Sequence, residues 1–125
     1  MKLLFLGLLI VADFAVLRAE DAGKCFQSGI ASWYGHESSQ TASGERCNPM
    51  GMTAAHRTLP FGSQVDVVNL RNGRSTRVRI IDRGPFGRGT VIDLSPRAAT
   101  ELDMTDSGIV PVELRPVPIE QQASR

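Results

Sequence analysis

The 125-residue sequence is poor in the residues that usually carry redox, metal or stacking chemistry: two cysteines, two histidines, one tryptophan and one tyrosine. So few sulfur and imidazole groups lack the repeated ligand spacings of a metal site, and neither a metal nor a cofactor is expected. An excess of one charge is missing too, with 14 Lys and Arg against 13 Asp and Glu. That balance excludes an acidic disordered chain. Only the extreme N-terminus is continuously apolar, so a polytopic membrane protein is excluded. What remains is 42% apolar and 22% charged, with 12 Gly and 7 Pro, as in a compact domain rich in turns.

The N-terminus opens with Met1-Lys2, continues through an apolar run from Leu3 to Ala12, and reaches small residues near Ala19. This is the layout of a secretory signal peptide over residues 1–19, with Leu17 and Ala19 at the −3 and −1 positions of the cleavage site. A retained membrane anchor is the alternative, although Asp13 inside the run opposes burial in lipid. The expected product is exported to the periplasm or cell envelope, without stable membrane insertion after cleavage. It keeps about 105 residues, enough for one domain and too few for two.

Cys25 and Cys47 both lie in that exported part. A lone pair in an oxidising compartment predicts one disulfide, closing a loop of about 23 residues for roughly 3 kcal/mol. Lipidation of Cys25 is disfavoured by the Gly23-Lys24 that precedes it.

The mature part is neutral, but arginines 46, 57, 71, 74, 77, 79, 83, 88 and 97 face only Glu45, Asp66, Asp82 and Asp93 between Thr41 and Arg97. The excess can attract an anionic polymer or simply be a solvated sheet face. Nucleic acid is not expected, because interleaved aromatics are absent.

Turn signals recur along the chain. Gly29–Tyr34 alternates as a strand, and residues 35–52 are turn chemistry throughout. Thr53–His56 reads as a single helical turn. Gln64–Asn69 and Ser75–Asp82 read as strands joined by the Arg71-Asn72-Gly73-Arg74 hairpin turn, with Val78 and Ile80 on one face and arginines on the other. A loop at Arg83–Gly87 precedes a strand at Val91–Leu94. Ser95 then caps a helix that has Pro96 at its first position and runs to about Leu102. Ile109–Val117 closes the domain as a strand whose prolines suit an edge or a bulge. Residues 119–125 read as a frayed tail, and residues 20–28 as a lead-in. Six short strands and one or two short helices make a small, mostly β barrel.

The segments Gly29-Ile-Ala-Ser-Trp-Tyr-Gly35, Thr41-Ala-Ser-Gly-Glu45, Met52-Thr-Ala-Ala-His56, Arg57-Thr-Leu-Pro60, Val68-Asn-Leu-Arg-Asn-Gly73, Ile81-Asp-Arg-Gly-Pro-Phe86 and Val91-Ile-Asp-Leu-Ser95 occur in this order. Together they resemble the rare lipoprotein A family. The resemblance implies a six-stranded double-psi β-barrel over residues 29–118, the fold of barwin and the expansins. It also implies peptidoglycan glycan strands as the partner, bound by a monomer. The implied activity is that of a lytic transglycosylase, cutting between N-acetylmuramic acid and N-acetylglucosamine to leave 1,6-anhydro ends. The alternative is a non-catalytic, expansin-like module that binds or loosens the wall.

Glycosidic cleavage needs a proton donor at the leaving oxygen, and carboxylic acids usually supply it. Asp82 ends an apolar strand before a Gly-Pro turn, and Glu45 lies in a glycine-containing loop. The resemblance implies catalytic roles for Asp82, Glu45 and His56. It further implies substrate contacts from Asn48, Thr41, Arg83 and the Trp33-Tyr34 pair, of which one ring alone faces the sugar. Each also has a plainer reading: Asp82 as a turn cap, Glu45 in a surface ion pair, His56 half-buried, Trp33 or Tyr34 in the core. Asp93 alternates with Ile92 and Leu94 and is expected to pair with an arginine of the barrel.

Several positions depart from the family. Asn48 stands where many members carry a carboxylate, and Cys47 where an apolar residue is common. Eight residues follow Val117, so no binding-repeat domain is expected behind the barrel.

Overall fold

The computed structural model describes residues 26–35 and 40–122. The expected signal peptide, Cys25 and the last three residues lie outside them. Six strands are present: β1 (Gln27–Trp33), β2 (Thr53–Ala55), β3 (Gln64–Asn69), β4 (Ser75–Asp82), β5 (Thr90–Leu94) and β6 (Val110–Pro116). Two short helices join them, α1 (Pro96–Glu101) and α2 (Ile119–Gln122). The strands close in the order β1-β5-β2-β4-β3-β6. β1 runs parallel to β5 and β2 to β4, and the other pairs are antiparallel.

Local chemistry accounts for most of these elements. The β3–β4 hairpin turns at Gly73, whose φ of 78° suits a residue without a Cβ. Asn72 Oδ1 accepts from Arg74 N. Ser95 Oγ accepts from Ala98 N to cap α1, and also donates to the Gly51 carbonyl. The other end of α1 is held by the hairpin. Asn69, buried, and Asn72 both donate their amides to the Leu102 carbonyl.

Thr53–Ala55 is a strand, not the helical turn expected from its alanines. Its three residues are buried between β4 and β5, and pairing on both sides outweighs the intrinsic preference of alanine. The prolines of β6 do not mark an edge either, because closure leaves none. Pro116 pairs with Val65 near the start of β3, and the Pro111 carbonyl accepts from Leu70 just past its end. The missing N–H groups therefore fall at the two ends of the β3–β6 ladder. After β6 the chain forms the turn α2 rather than an unstructured tail, and Gln122 Oε1 accepts from Gln64 N.

The core fills the barrel with alternating residues: Val65 and Val67, Val78 and Ile80, Ile92 and Leu94, Val112 and Leu114. Ala98, Ala99, Leu102 and Met104 close it from α1 and the following turn. Each large side chain buried there contributes about 1.5–3 kcal/mol. At the end of β4 the alternation breaks. Ala54 pairs with Ile80 but Ala55 pairs with Asp82, a bulge of one residue. The bulge lets Ile80 stay in the core while Asp82, two positions on, emerges into a surface pocket.

Candidate active site

That pocket, about 280 Å³, is lined by Tyr34, Thr41, Cys47, Ala55, Asp82, Arg83, Gly84, Pro85, Phe86 and Asp93. Ala55 forms its floor and pairs with Asp82 on one side and Asp93 on the other. Two strand spacings separate the aspartate α-carbons, about 10 Å, with only a methyl group between them.

Asp82 is fixed by the backbone. Its Oδ1 accepts from Ala42 N and from Arg83 N, both at 2.9 Å. The first donor explains the Thr41-Ala-Ser-Gly-Glu45 motif. Thr41 Oγ1 and Thr41 N both bond the Glu45 carbonyl, and Gly44 turns at φ 91°. The loop tip is thereby closed so that Ala42 N points at the carboxylate. Among the described residues Oδ2 takes no hydrogen bond. The turn-capping reading of Asp82 thus holds alongside its place in the pocket.

Among the described residues, Asp93 pairs with no arginine. Its Oδ1 accepts from Ser32 Oγ at 3.0 Å, on the neighbouring strand β1. Burial raises its carboxyl above the ordinary carboxylate range; the Ser32 bond offsets part of this and the charge of Asp82 adds to it. Sequence reasoning placed Asp93 outside the site. The available signal was a carboxylate between Ile92 and Leu94, in a strand whose other side chains fill the core.

Tyr34 lines the pocket, and its hydroxyl shares a 3.0 Å hydrogen bond with Thr53 Oγ1. Burial pushes its phenol well above the ordinary value. Trp33, one residue earlier, points the other way and packs on the core. Arg83 contributes to the lining, but its guanidinium is used elsewhere. Nη1 donates to the His56 and Leu59 carbonyls, and the group stacks 3.9 Å over the Phe61 ring.

Besides Trp33, three expected site residues do not line the pocket. Glu45 forms a two-pronged ion pair with Arg79 of β4, which holds its carboxyl below the ordinary range and ties the loop to the barrel. His56 is 2% exposed. Its Nδ1 accepts from Thr58 N and Leu59 N at 3.1 Å each, so the proton sits on Nε2 and is donated to Gln27 Oε1 at 2.8 Å. Burial, followed by the charges of Arg83 and Arg57, lowers its pKa and keeps the ring neutral. His56 reaches the site only through its backbone, its N donating to the Asp82 carbonyl. Asn48 is exposed and caps a turn through Met50 N.

Cys47 is a buried free thiol on the pocket wall. Its proposed partner, Cys25, lies outside the described residues. The basic excess is largely consumed internally. Arg77 pairs with Asp66, Arg79 with Glu45, and Arg57 and Arg97 bond backbone carbonyls.

A double-psi β-barrel family described as "Lytic transglycolase" matches residues 26–114. A "Probable endolytic peptidoglycan transglycosylase RlpA" from a Nostoc species is 60% identical over 90 residues, 69% of this chain and 24% of that protein. The protein of the same name from Aquifex aeolicus is 43% identical over 117 residues, 89% of this chain and 52% of that one. An "Endolytic peptidoglycan transglycosylase RlpA" from Campylobacter jejuni is 49% identical over 88 residues, 69% of this chain and 32% of that protein. The chain thus spans about a quarter to a half of the length of these relatives. Among solved structures, a Streptomyces papain inhibitor superposes with a TM-score of 0.59 at 26% identity, covering 74% of this chain and 96% of that one. A Clavibacter michiganensis expansin, solved with cellohexaose, gives 0.55 at 22% identity, over 72% of this chain and 49% of that one, and shares the fold. With its closed six-strand barrel and a family match across nearly every strand, the chain belongs to the RlpA family of double-psi β-barrel proteins.

Proposed function

We propose that this barrel is a lytic transglycosylase domain acting on peptidoglycan outside the cytoplasm, in the periplasm or cell envelope. It would cut between N-acetylmuramic acid and N-acetylglucosamine to leave 1,6-anhydro ends. The observation that carries the reading is the placement of Asp82 and Asp93 on either side of Ala55 in one open pocket. The printed names of the relatives support it.

The chemistry requires one proton delivered and one removed. Asp93, whose carboxyl keeps its proton to higher pH than an ordinary one, donates it to the glycosidic oxygen as the bond to C1 breaks. The 6-hydroxyl oxygen of the muramyl residue bonds to C1 in its place. Its proton passes to the free Oδ2 of Asp82, which the Ala42 and Arg83 amides hold in a fixed orientation. No water nucleophile enters, and solvent exchange restores both carboxyls. Glu45 and His56 act by holding the loops that shape the pocket.

The experiment is release of anhydro-muropeptides from purified sacculi. Asp82→Asn and Asp93→Asn should each lower release by about 10²–10⁴-fold while the folded variants still bind sacculi. Binding by the wild-type protein with no anhydro product would replace the reading with that of a glycan-binding module.

A further inference from the structure

Phe86 is the most exposed large apolar side chain among the described residues, at 79%, and it stands on the rim of the pocket that holds both aspartates. Leaving a phenyl ring in water forfeits the burial free energy that other core-sized side chains gain. The loop that carries it is nevertheless held on both sides. Arg57 donates from Nε to the Pro85 carbonyl at 2.6 Å and from Nη2 to the Gly87 carbonyl at 2.8 Å. Thr90 Oγ1 donates to the same Gly87 carbonyl at 2.7 Å. Before the ring, Arg83 is pinned by the Asp82 carboxylate and by two carbonyls of the loop after β2.

The ring itself leans on Gly84. That glycine has φ 123°, and a Cβ placed there would lie 3.4–4.0 Å from three ring carbons of Phe86. One edge of the phenyl group therefore rests over a bare α-carbon while its remaining surface faces solvent beside the pocket. An aromatic ring pre-positioned on a fixed loop loses little conformational entropy when a flat partner arrives. The other aromatic side chain that lines the pocket, Tyr34, is engaged with Thr53.

We propose that Phe86 is a specificity-determining subsite residue, a platform on which the C–H face of a pyranose ring next to the cleaved linkage stacks. The proposal rests on the transglycosylase reading for the word "cleaved", but not for the sugar contact. A ring without hydrogen-bonding groups reads sugar shape and is indifferent to the stem peptide. Its energy is spent on binding and not on the transition state, so it should act on KM and leave kcat alone.

The test compares Phe86→Ala, Phe86→Leu and Phe86→Trp in the full chain, on glycan strands stripped of peptide and on intact sacculi. Because the ring is exposed, all three should match the wild type in thermal unfolding. Phe86→Ala and Phe86→Leu should weaken binding and raise KM by about five- to tenfold on both substrates, with kcat within twofold. Phe86→Trp should restore wild-type values. Unchanged binding of Phe86→Ala to stripped strands overturns the platform. A loss confined to peptide-bearing sacculi also overturns it, placing the ring against peptide, and a Phe86→Leu protein equal to wild type removes the stacking argument. If the wild type binds without releasing product, yet Phe86→Ala binds less, the subsite stands and only the catalytic reading fails.

Discussion

His56→Ala separates a structural histidine from a catalytic one. The substitution removes three hydrogen bonds: to Gln27 Oε1, and from the amides of Thr58 and Leu59. At about 1 kcal/mol each, the loss is near 3 kcal/mol, and a void at a side chain only 2% exposed pushes it toward 4. For a domain of this size that corresponds to a melting temperature lower by roughly 12–25 °C. The wild type should also show a pH signature. His56 has a depressed folded pKa and stays neutral while the unfolded chain takes up a proton near 6.5. Below that value the unfolded state binds more protons, so stability is fully present above pH 6.5 and is lost as pH falls toward the folded pKa. His56→Ala should lack that slope. Urea unfolding between pH 5 and 8, with anhydro-muropeptide release measured well below the melting temperature, checks both points. Release by the folded variant should stay within tenfold of wild type and keep the same pH limbs. A folded His56→Ala protein that loses a limb of its pH profile and more than a hundredfold of rate would refute the reasoning and return the imidazole to the chemistry.

Ser32→Ala deletes the hydrogen bond that favours ionised Asp93 and should raise that carboxyl's pKa further. Activity, which in the proposed mechanism needs Asp93 protonated, should then persist to higher pH, seen as an upward shift of the alkaline limb; a downward shift would assign the limb to another group. Glu45→Gln breaks an exposed ion pair with Arg79 and should cost no more than about 1 kcal/mol in chemical denaturation. Its kcat should fall less than tenfold, and a hundredfold loss in the folded variant would make Glu45 a direct participant.

The parts of the fold legible from sequence are those that local chemistry dictates. The bounds of β3 and β4 follow from alternation and the Asn72-Gly73 turn, and the start of α1 from Ser95-Pro96. β2 was not legible because three residues carry no periodicity, and its conformation is decided by partners 26 or more residues away. The same non-local pairing hid Asp93. Alternation alone says that it leaves the core, but only the register through Ala55 and the bulge at Asp82 bring the two carboxyls together. The catalytic roles expected of Glu45 and His56 rest on the family resemblance and not on their local sequence. Glu45 is occupied by Arg79 and the Nε2 of His56 by Gln27, partners that local sequence does not couple to either.

The strand beneath the site bears on how this protein behaves when damaged. β2 lies directly between β5 and β4 in the closed barrel, and its buried Ala55 sets the spacing of the two carboxyls. The strands that carry the two acids are consecutive but do not pair with each other, so on the proposed chemistry an opening that displaces β2 leaves no competent pair behind. On the proposed chemistry, a chain that is half-folded or half-proteolysed is silent. The proposed capacity to cut would be switched on by completion of the barrel and withdrawn with it, a safeguard for a protein whose proposed substrate is the wall that contains the cell.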